Sequence, residues 1–543
     1  MLDLYRAIAL IAIAALGYAL TRRHARDPRE PPAVGSDIPF IGHLLGLLKH
    51  GAGYFSIVAK KHPALPILSI DLILTKIYIV ASPTLLQAVQ RNTKTITFDP
   101  FVTFAAERVA GIKGPGLEAL REKSAGGGGV NQAVVHAIHP TLTGKPLDRM
   151  NEKMVKLLTP LVDELAGKET VDLYGWCTKA ITVASTEASY GPLNPYRDPK
   201  IVDAFWYVSL PCNIYIYTRG CADQDRAFEG NLSPLLAGFL PSIIARAAWQ
   251  GRETAVPALV EYYNQGGHKQ GSELTQARFQ TQHEAGIAIE DIARLEVSMG
   301  IGLLANTVPA CFWIVFDLYR RPELLAELRT EIAENAIRVA DDGSNTNTHV
   351  IGIPALRDDC PLLVSTYQEI LRARAASSPT RSVTEDTLLA EKYFLKKGSV
   401  VSIPSSAMSQ HEDVWGASAK EFNPRRYLKV DASIAGTNNK AANPRRTGGF
   451  MTFGVSPVVC PGRHFASSEI LAVVAMLILR FEFVPANPNA EWREPERNSK
   501  AISSAMGPVQ GAFDVKVTVR DEYEGVKWDC EAKEGSGVFN LMV

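Results

Sequence analysis

Between Ile289 and Tyr319 the chain reads IEDIARLEVSMGIGLLANTVPACFWIVFDLY, with helical spacing and apolar residues on nearly every side. A helix without a polar face needs neighbours all round, so this one must run through the middle of a large body. Pro309 lies inside it, where the missing N–H frees a carbonyl one turn earlier and kinks the axis. Arg320 and Arg321 end the pattern, and Pro322 opens a new helix at the favoured first position. Helical patterns dominate from about 130 to 375. Strand-like pieces are few, notably LPILSIDLILTKIYIVA and GSVVSIP. The expected class is mainly α with a minor β part. At 543 residues and 46% hydrophobic content, there is ample material for such a core.

Lys plus Arg and Asp plus Glu both number 57, so nothing in the charge balance points to nucleic acid. The seven cysteines are scattered and form no C-x-x-C pair, which argues against a disulfide scaffold or zinc ribbon. A cysteine with a role here acts alone.

The amino terminus carries a different signal. Ala7 to Leu20 is an unbroken apolar run of 14 residues, followed by TRRHAR. It is short for a ~20-residue span, and a cleaved signal peptide is the rival reading. Arg22, Arg23 and Arg26 lie on its C-terminal side with no small-residue cleavage site, which favours an uncleaved anchor with a cytosolic body. A thin endoplasmic reticulum bilayer suits a short span. Pro28, Pro31, Pro32 and Pro39 then make a stiff, extended hinge. The organisation expected is an anchor over 1–21, a basic, proline-rich hinge over 22–42 and one catalytic domain over 43–543.

Local sequence excludes several chemistries. SAGGGGV (124–130) is glycine-rich but lacks the G-K-[ST] of a phosphate loop. GVSPV (454–458) is near G-x-S-x-G, yet the residue after the serine is Pro457, which has no N–H for an oxyanion hole. Cys460 is different. Pro461, Gly462 and a long helical stretch follow it, so it stands at a helix N-terminus, where unpaired N–H groups and the dipole favour a thiolate. Such a thiolate is a haem-iron ligand in enzymes that cleave the O–O bond, and Phe453, seven residues earlier, could pack beside a porphyrin. A buried core cysteine is the alternative at this point. Upstream, Glu369 and Arg372 share one helix face at i, i+3. Phe422, Pro424 and Arg426 follow about 50 residues later, and the cysteine loop about 35 beyond those.

That order and spacing resembles the cytochrome P450 superfamily over essentially the whole chain. The resemblance implies the cytochrome P450 fold, haem b with Cys460 as axial ligand to the iron, and Gly462 and Phe453 beside the cofactor. It implies that Glu369, Arg372 and Arg426 form a buried structural network, and that Arg381 contacts a haem propionate. It also implies NADPH–cytochrome P450 reductase as partner, since no flavin or nicotinamide fingerprint occurs in this chain.

Three departures stand out. The loop usually reads F-x-x-G-x-R-x-C-x-G, but here Ser456 replaces the inner glycine and Val458 the arginine. Ser456 costs roughly 1 kcal/mol if its position needs a positive φ. No W-x-x-x-R occurs between 110 and 145 either, so a second propionate partner is missing. In the central helix the common A-G-x-[DE]-T-T, whose acid and alcohol handle protons, is replaced by Ala305-Asn306-Thr307-Val308-Pro309. This resembles the branch containing cholesterol 7-alpha-hydroxylase and prostacyclin synthase. Asn306 and Thr307 are therefore the candidate catalytic residues on the distal side. The other reading of Asn306 is that it satisfies backbone freed by Pro309. The expected activity is a membrane-bound monooxygenase of secondary metabolism acting on an apolar small molecule such as a sterol, terpenoid or polyketide. A reductase-independent isomerase or dehydratase is the alternative.

Overall fold

The computed structural model describes residues 26–206, 235–428 and 449–541, apart from 37, 39–40, 73–74, 123–127, 237–239, 341–347, 499–500, 502–503, 533–534, 536 and 540. The expected anchor and most of the glycine-rich stretch lie outside the described residues.

Eight helices position the site: α1 (Gly144–Asp163), α2 (Leu173–Tyr190), α3 (Arg246–Asn264), α4 (Ile289–Leu304), α5 (Thr307–Tyr319), α6 (Pro322–Asn335), α7 (Pro361–Arg374) and α8 (Arg463–Arg480). The central apolar stretch is thus two helices, divided by a turn at Ala305–Asn306. Glu290 and Asp291 occupy the first turn of α4, where they complement the helix dipole. Every residue of α5 is buried. It packs against α2, α6, α7 and α8, which accounts for its lack of a polar face. Among the described residues 289–319 is the one stretch long and apolar enough to cross a membrane, and it is core. Pro322 takes the first position of α6, as its sequence predicts.

The minor β part includes a five-stranded sheet in the order β1-β2-β7-β6-β3, built from β1 (Ile67–Asp71), β2 (Lys76–Val80), β3 (Ile96–Thr97), β6 (Thr380–Val383) and β7 (Val400–Ser402). The strand-like pieces seen in the sequence supply β1, β2 and β7. β7 runs parallel to β2 and antiparallel to β6, with Val401 opposite Tyr78 and Arg381. Since α7 leads into β6 within a few residues, Glu369, Arg372 and Arg381 are carried on one short run of chain. Two-residue strands β8 (Gly454–Val455) and β9 (Val458–Val459) form a hairpin just before α8. A third sheet joins β4 (Ile337–Ala340), β5 (Thr348–Gly352) and the late strand β10 (Lys527–Glu531), which pairs parallel to β5.

Part of the proline-rich hinge is described. The described part turns at 28–30 and is then laid on β1: Ala33 bridges Ser69, and the Val34 N–H reaches the Ser69 carbonyl at 3.0 Å. Glu30 is buried there and bonded to Lys76 and Lys396.

Candidate active site

Glu369 and Arg372 sit one turn apart on α7, both buried. Arg372 grips the carboxylate with two bonds, Nε to Oε2 at 2.7 Å and Nη2 to Oε1 at 2.8 Å. Arg426 adds a third from its Nε at 3.0 Å, and the Asn423 N–H a fourth at 2.8 Å. The other guanidinium bonds go to backbone carbonyls of Ser409, Ala419, Glu421 and Ser418 and to the Ser418 hydroxyl. Both guanidiniums face the Trp415 ring, at 5.2 and 5.9 Å. A buried ion cluster survives only when its lone pairs and protons are taken up in this way. The sequence-predicted trio is therefore brought together, and it pins the 409–426 stretch to α7.

The cysteine loop follows. The hairpin β8–β9 turns at Ser456–Pro457, and the Cys460 N–H closes it by donating to the Phe453 carbonyl at 2.7 Å. The left-handed backbone falls on Gly454, with φ of 101°, and Ser456 does not share it. A Cβ on Gly454 would also lie 2.6 Å from the Val458 carbonyl oxygen. The cost anticipated at Ser456 therefore does not arise, because the strained position keeps its glycine.

Of the described cysteines, Cys177, Cys311, Cys360 and Cys530 are buried and Cys460 is exposed. Its exposure is one-sided. Protein around the rest of the side chain desolvates the thiol and pushes its pKa up, while N–H groups of Gly462 and Arg463 and the Arg463 charge pull it down. Gly462 is the cap residue of α8, so these are helix-terminal donors aimed at sulfur. The Phe453 ring is partly buried, 6.3 Å from Phe450.

Arg381 is buried in β6. Its Nη2 donates to the Val455 carbonyl at 2.9 Å, linking it to the cysteine hairpin, and its guanidinium faces Phe98 at 5.4 Å. Among the described residues no carboxylate pairs with it, and burial lowers its pKa. Val458, where an arginine was looked for, is exposed.

At the break between α4 and α5, the carbonyl that Pro309 frees is met by a residue other than Asn306. Pro309 leaves the Ala305 carbonyl without its helical donor, and Ser504 Oγ takes it at 2.6 Å. Asn306 Oδ1 instead accepts the Ala505 N–H at 2.7 Å. The Thr307 hydroxyl donates back to the Leu303 carbonyl at 3.3 Å. Val308 and Pro309 are buried in α5. Pro309 told of an orphaned carbonyl, but nothing in the sequence located its partner some two hundred residues away. Ser504 was missed for that reason.

A family model described as Cytochrome P450 matches residues 231–511. Over its full length the chain is 39% identical to the cytochrome P450 monooxygenase nodJ of Hypoxylon pulicicidum, whose length is also fully covered. The chain belongs to the cytochrome P450 family. A P450 from Cricetulus griseus named cholesterol 7-alpha-monooxygenase is 24% identical, the match covering 65% of this chain and 69% of that one. Among solved structures, retinoic acid bound cyanobacterial CYP120A1 superposes with a TM-score of 0.63 at 15% identity, covering 90% of this chain and 99% of that one, and so shares the P450 fold.

P450 membership implies a haem-thiolate iron. The residues present fit that group. The donor set is a single one-sided thiol, and among the described residues no three His, Cys, Asp or Glu side chains gather to hold a metal otherwise. The buried Arg381, lacking a carboxylate partner among the described residues and tied to the hairpin before Cys460, suits an anionic edge such as a propionate.

Proposed function

We propose that this P450 oxidises an apolar small molecule of the sterol, terpenoid or polyketide type in secondary metabolism. Haem b would be held through Cys460, with Arg381 on a propionate and Phe453 and Gly462 beside it. When bound, that group supplies oxygen activation with electrons from NADPH–cytochrome P450 reductase. The observation that carries the reading is the exposed Cys460, whose thiol is met by the N–H groups of Gly462 and Arg463. These donors temper the thiolate charge, and the Glu369–Arg372–Arg426 cluster holds the surrounding backbone still. Asn306 and Thr307 are the polar residues assigned to the distal side. Thr307 keeps an acceptor lone pair while its proton is engaged with Leu303.

The anchor over 1–21 would fix the 43–543 domain to the cytosolic face of the endoplasmic reticulum, with the 22–42 hinge setting its orientation. A membrane-bound body and an apolar distal helix favour a substrate that partitions into lipid.

The test is product analysis. Mass spectrometry of extracts incubated with enzyme, reductase and NADPH should reveal a product one oxygen heavier that disappears when reductase is omitted. The reduced carbon-monoxide band that names the family should be present and lost in Cys460→Ala; its survival there would sink the ligand assignment. One observation favours a second reading, an isomerase or dehydratase. Val308 and Pro309 stand where the proton-handling pair usually sits, and both are packed into the core. Turnover of an organic peroxide with neither NADPH nor reductase would select it.

A further inference from the structure

Four hydrogen bonds converge on residues 504–507. Ser504 Oγ donates to the Ala305 carbonyl at 2.6 Å, and the Ala505 N–H donates to Asn306 Oδ1 at 2.7 Å. The Ala505 carbonyl accepts the Ala376 N–H at 2.8 Å, and the Gly507 carbonyl accepts Trp313 Nε1 at 2.8 Å. One short segment is thus tied to both sides of the helix break and to the stretch between α7 and β6. Because a backbone N–H can only donate, Asn306 must turn its amide oxygen to Ala505, which commits that atom to the protein. The Ala305 carbonyl would otherwise be a buried acceptor without a partner, at a cost comparable to a lost hydrogen bond. The hydroxyl of Ser504 is what permits a proline at 309.

We propose that Ser504 and Asn306 are positioning residues, forming a clasp that sets the opening of the distal helix by holding 504–507 against the 305–306 break. Asn306 acts through Ala505, and Ser504 through the Ala305 carbonyl. Under the proposed function, both stretches they join, the distal helix and 375–380, wall the substrate site. The proposal rests on the reading that haem lies between Cys460 and this break.

The test uses the haem-loaded full chain with imidazole as the probe that enters from the distal side. In Ser504→Ala the unclasped wall retreats, and imidazole binds about threefold to tenfold tighter, the equivalent of one neutral hydrogen bond. Ser504→Thr keeps the hydroxyl and returns the wild-type affinity. Pro309→Ala placed in the Ser504→Ala chain restores the thermal midpoint, because residue 309 then supplies the helical N–H that Ala305 lacks, yet keeps the tighter imidazole binding, because the wall stays unclasped. Unchanged or weaker imidazole binding in Ser504→Ala, failure of Ser504→Thr to return the wild-type affinity, or wild-type affinity in the double variant overturns the clasp. Should Ser504→Ala not fold alone, the double variant must fold, and its failure is equally decisive. Independently, amide exchange at Ala505 accelerates in Asn306→Leu and stays slow in Asn306→Asp; equal rates in the two overturn the role of Asn306. A wild-type chain without the reduced carbon-monoxide band would overturn the haem-thiolate reading itself, whereas an intact band with imidazole affinity indifferent to Ser504 overturns the clasp alone.

Discussion

The two sides of this P450 solve the same problem, holding irregular backbone in a buried place, with different materials. On the cysteine side the work is done by charge. One carboxylate, Glu369, takes both arginines and a backbone N–H, and the arginines make five bonds to four backbone carbonyls between them. On the distal side it is done by neutral groups, with one hydroxyl and one amide spanning the break. Charged networks are costly to open at any point, because every member left behind is an unpaired buried charge. Neutral links each contribute about 1 kcal/mol and can be altered singly. The cysteine side is accordingly built to be invariant in shape, and the distal side to be adjustable.

The largest test of that contrast is Glu369→Ala. It strands two buried guanidiniums, so a loss of about 3–5 kcal/mol is expected, read as a collapse of the thermal midpoint together with the carbon-monoxide band. A stable, spectrally normal variant would break the comparison. Next is Glu469 on α8, fully buried and bonded through both oxygens to Ser185, with its pKa pushed up to about 8 by desolvation. The folded state holds this proton where the unfolded state has released it. Its contribution to stability is therefore complete below the unfolded value near 4.5, falls as pH rises, and is gone above about 8. Glu469→Gln should flatten that slope, by on the order of a few kcal/mol across the window, in denaturant titrations at several pH values. Third, Arg381→Leu removes a buried cation without a carboxylate partner among the described residues. Apoprotein stability should hold or rise, while haem loss to a scavenger globin accelerates by an amount equivalent to about 1.5–3 kcal/mol, the worth of a charged hydrogen bond. Smallest is Thr307→Val, which deletes only a back-bond to Leu303, so the thermal midpoint should move by less than the equivalent of about 1 kcal/mol. A large fall in product formation with that small shift would assign Thr307 a proton-handling role.

The same contrast explains what the sequence made legible. The charged side was readable because its geometry is local: Glu369 and Arg372 are one helical turn apart, and F-x-P-x-R is a short, specific string. The all-round apolar character of 307–319 likewise announced a core helix. The distal side was not readable, since a proline declares that a carbonyl is freed but carries no information about which distant hydroxyl will reach it. Ser456 shows a related limit. The expected glycine was absent from the expected place, yet the backbone needed its left-handed residue at Gly454, and only the register of the β8–β9 hairpin decides that.

The separation of partners along the chain has a kinetic side. Arg426 lies 57 residues from Glu369, whereas both clasp bonds close loops of 199. Loop-closure entropy rises with the logarithm of length, which sets the clasp behind by about 1 kcal/mol before any contact rewards it. The cysteine side should therefore organise first during refolding, with the pocket wall sealing onto a scaffold already formed. In pulse-labelled exchange the Asn423 amide should gain protection before that of Ala505.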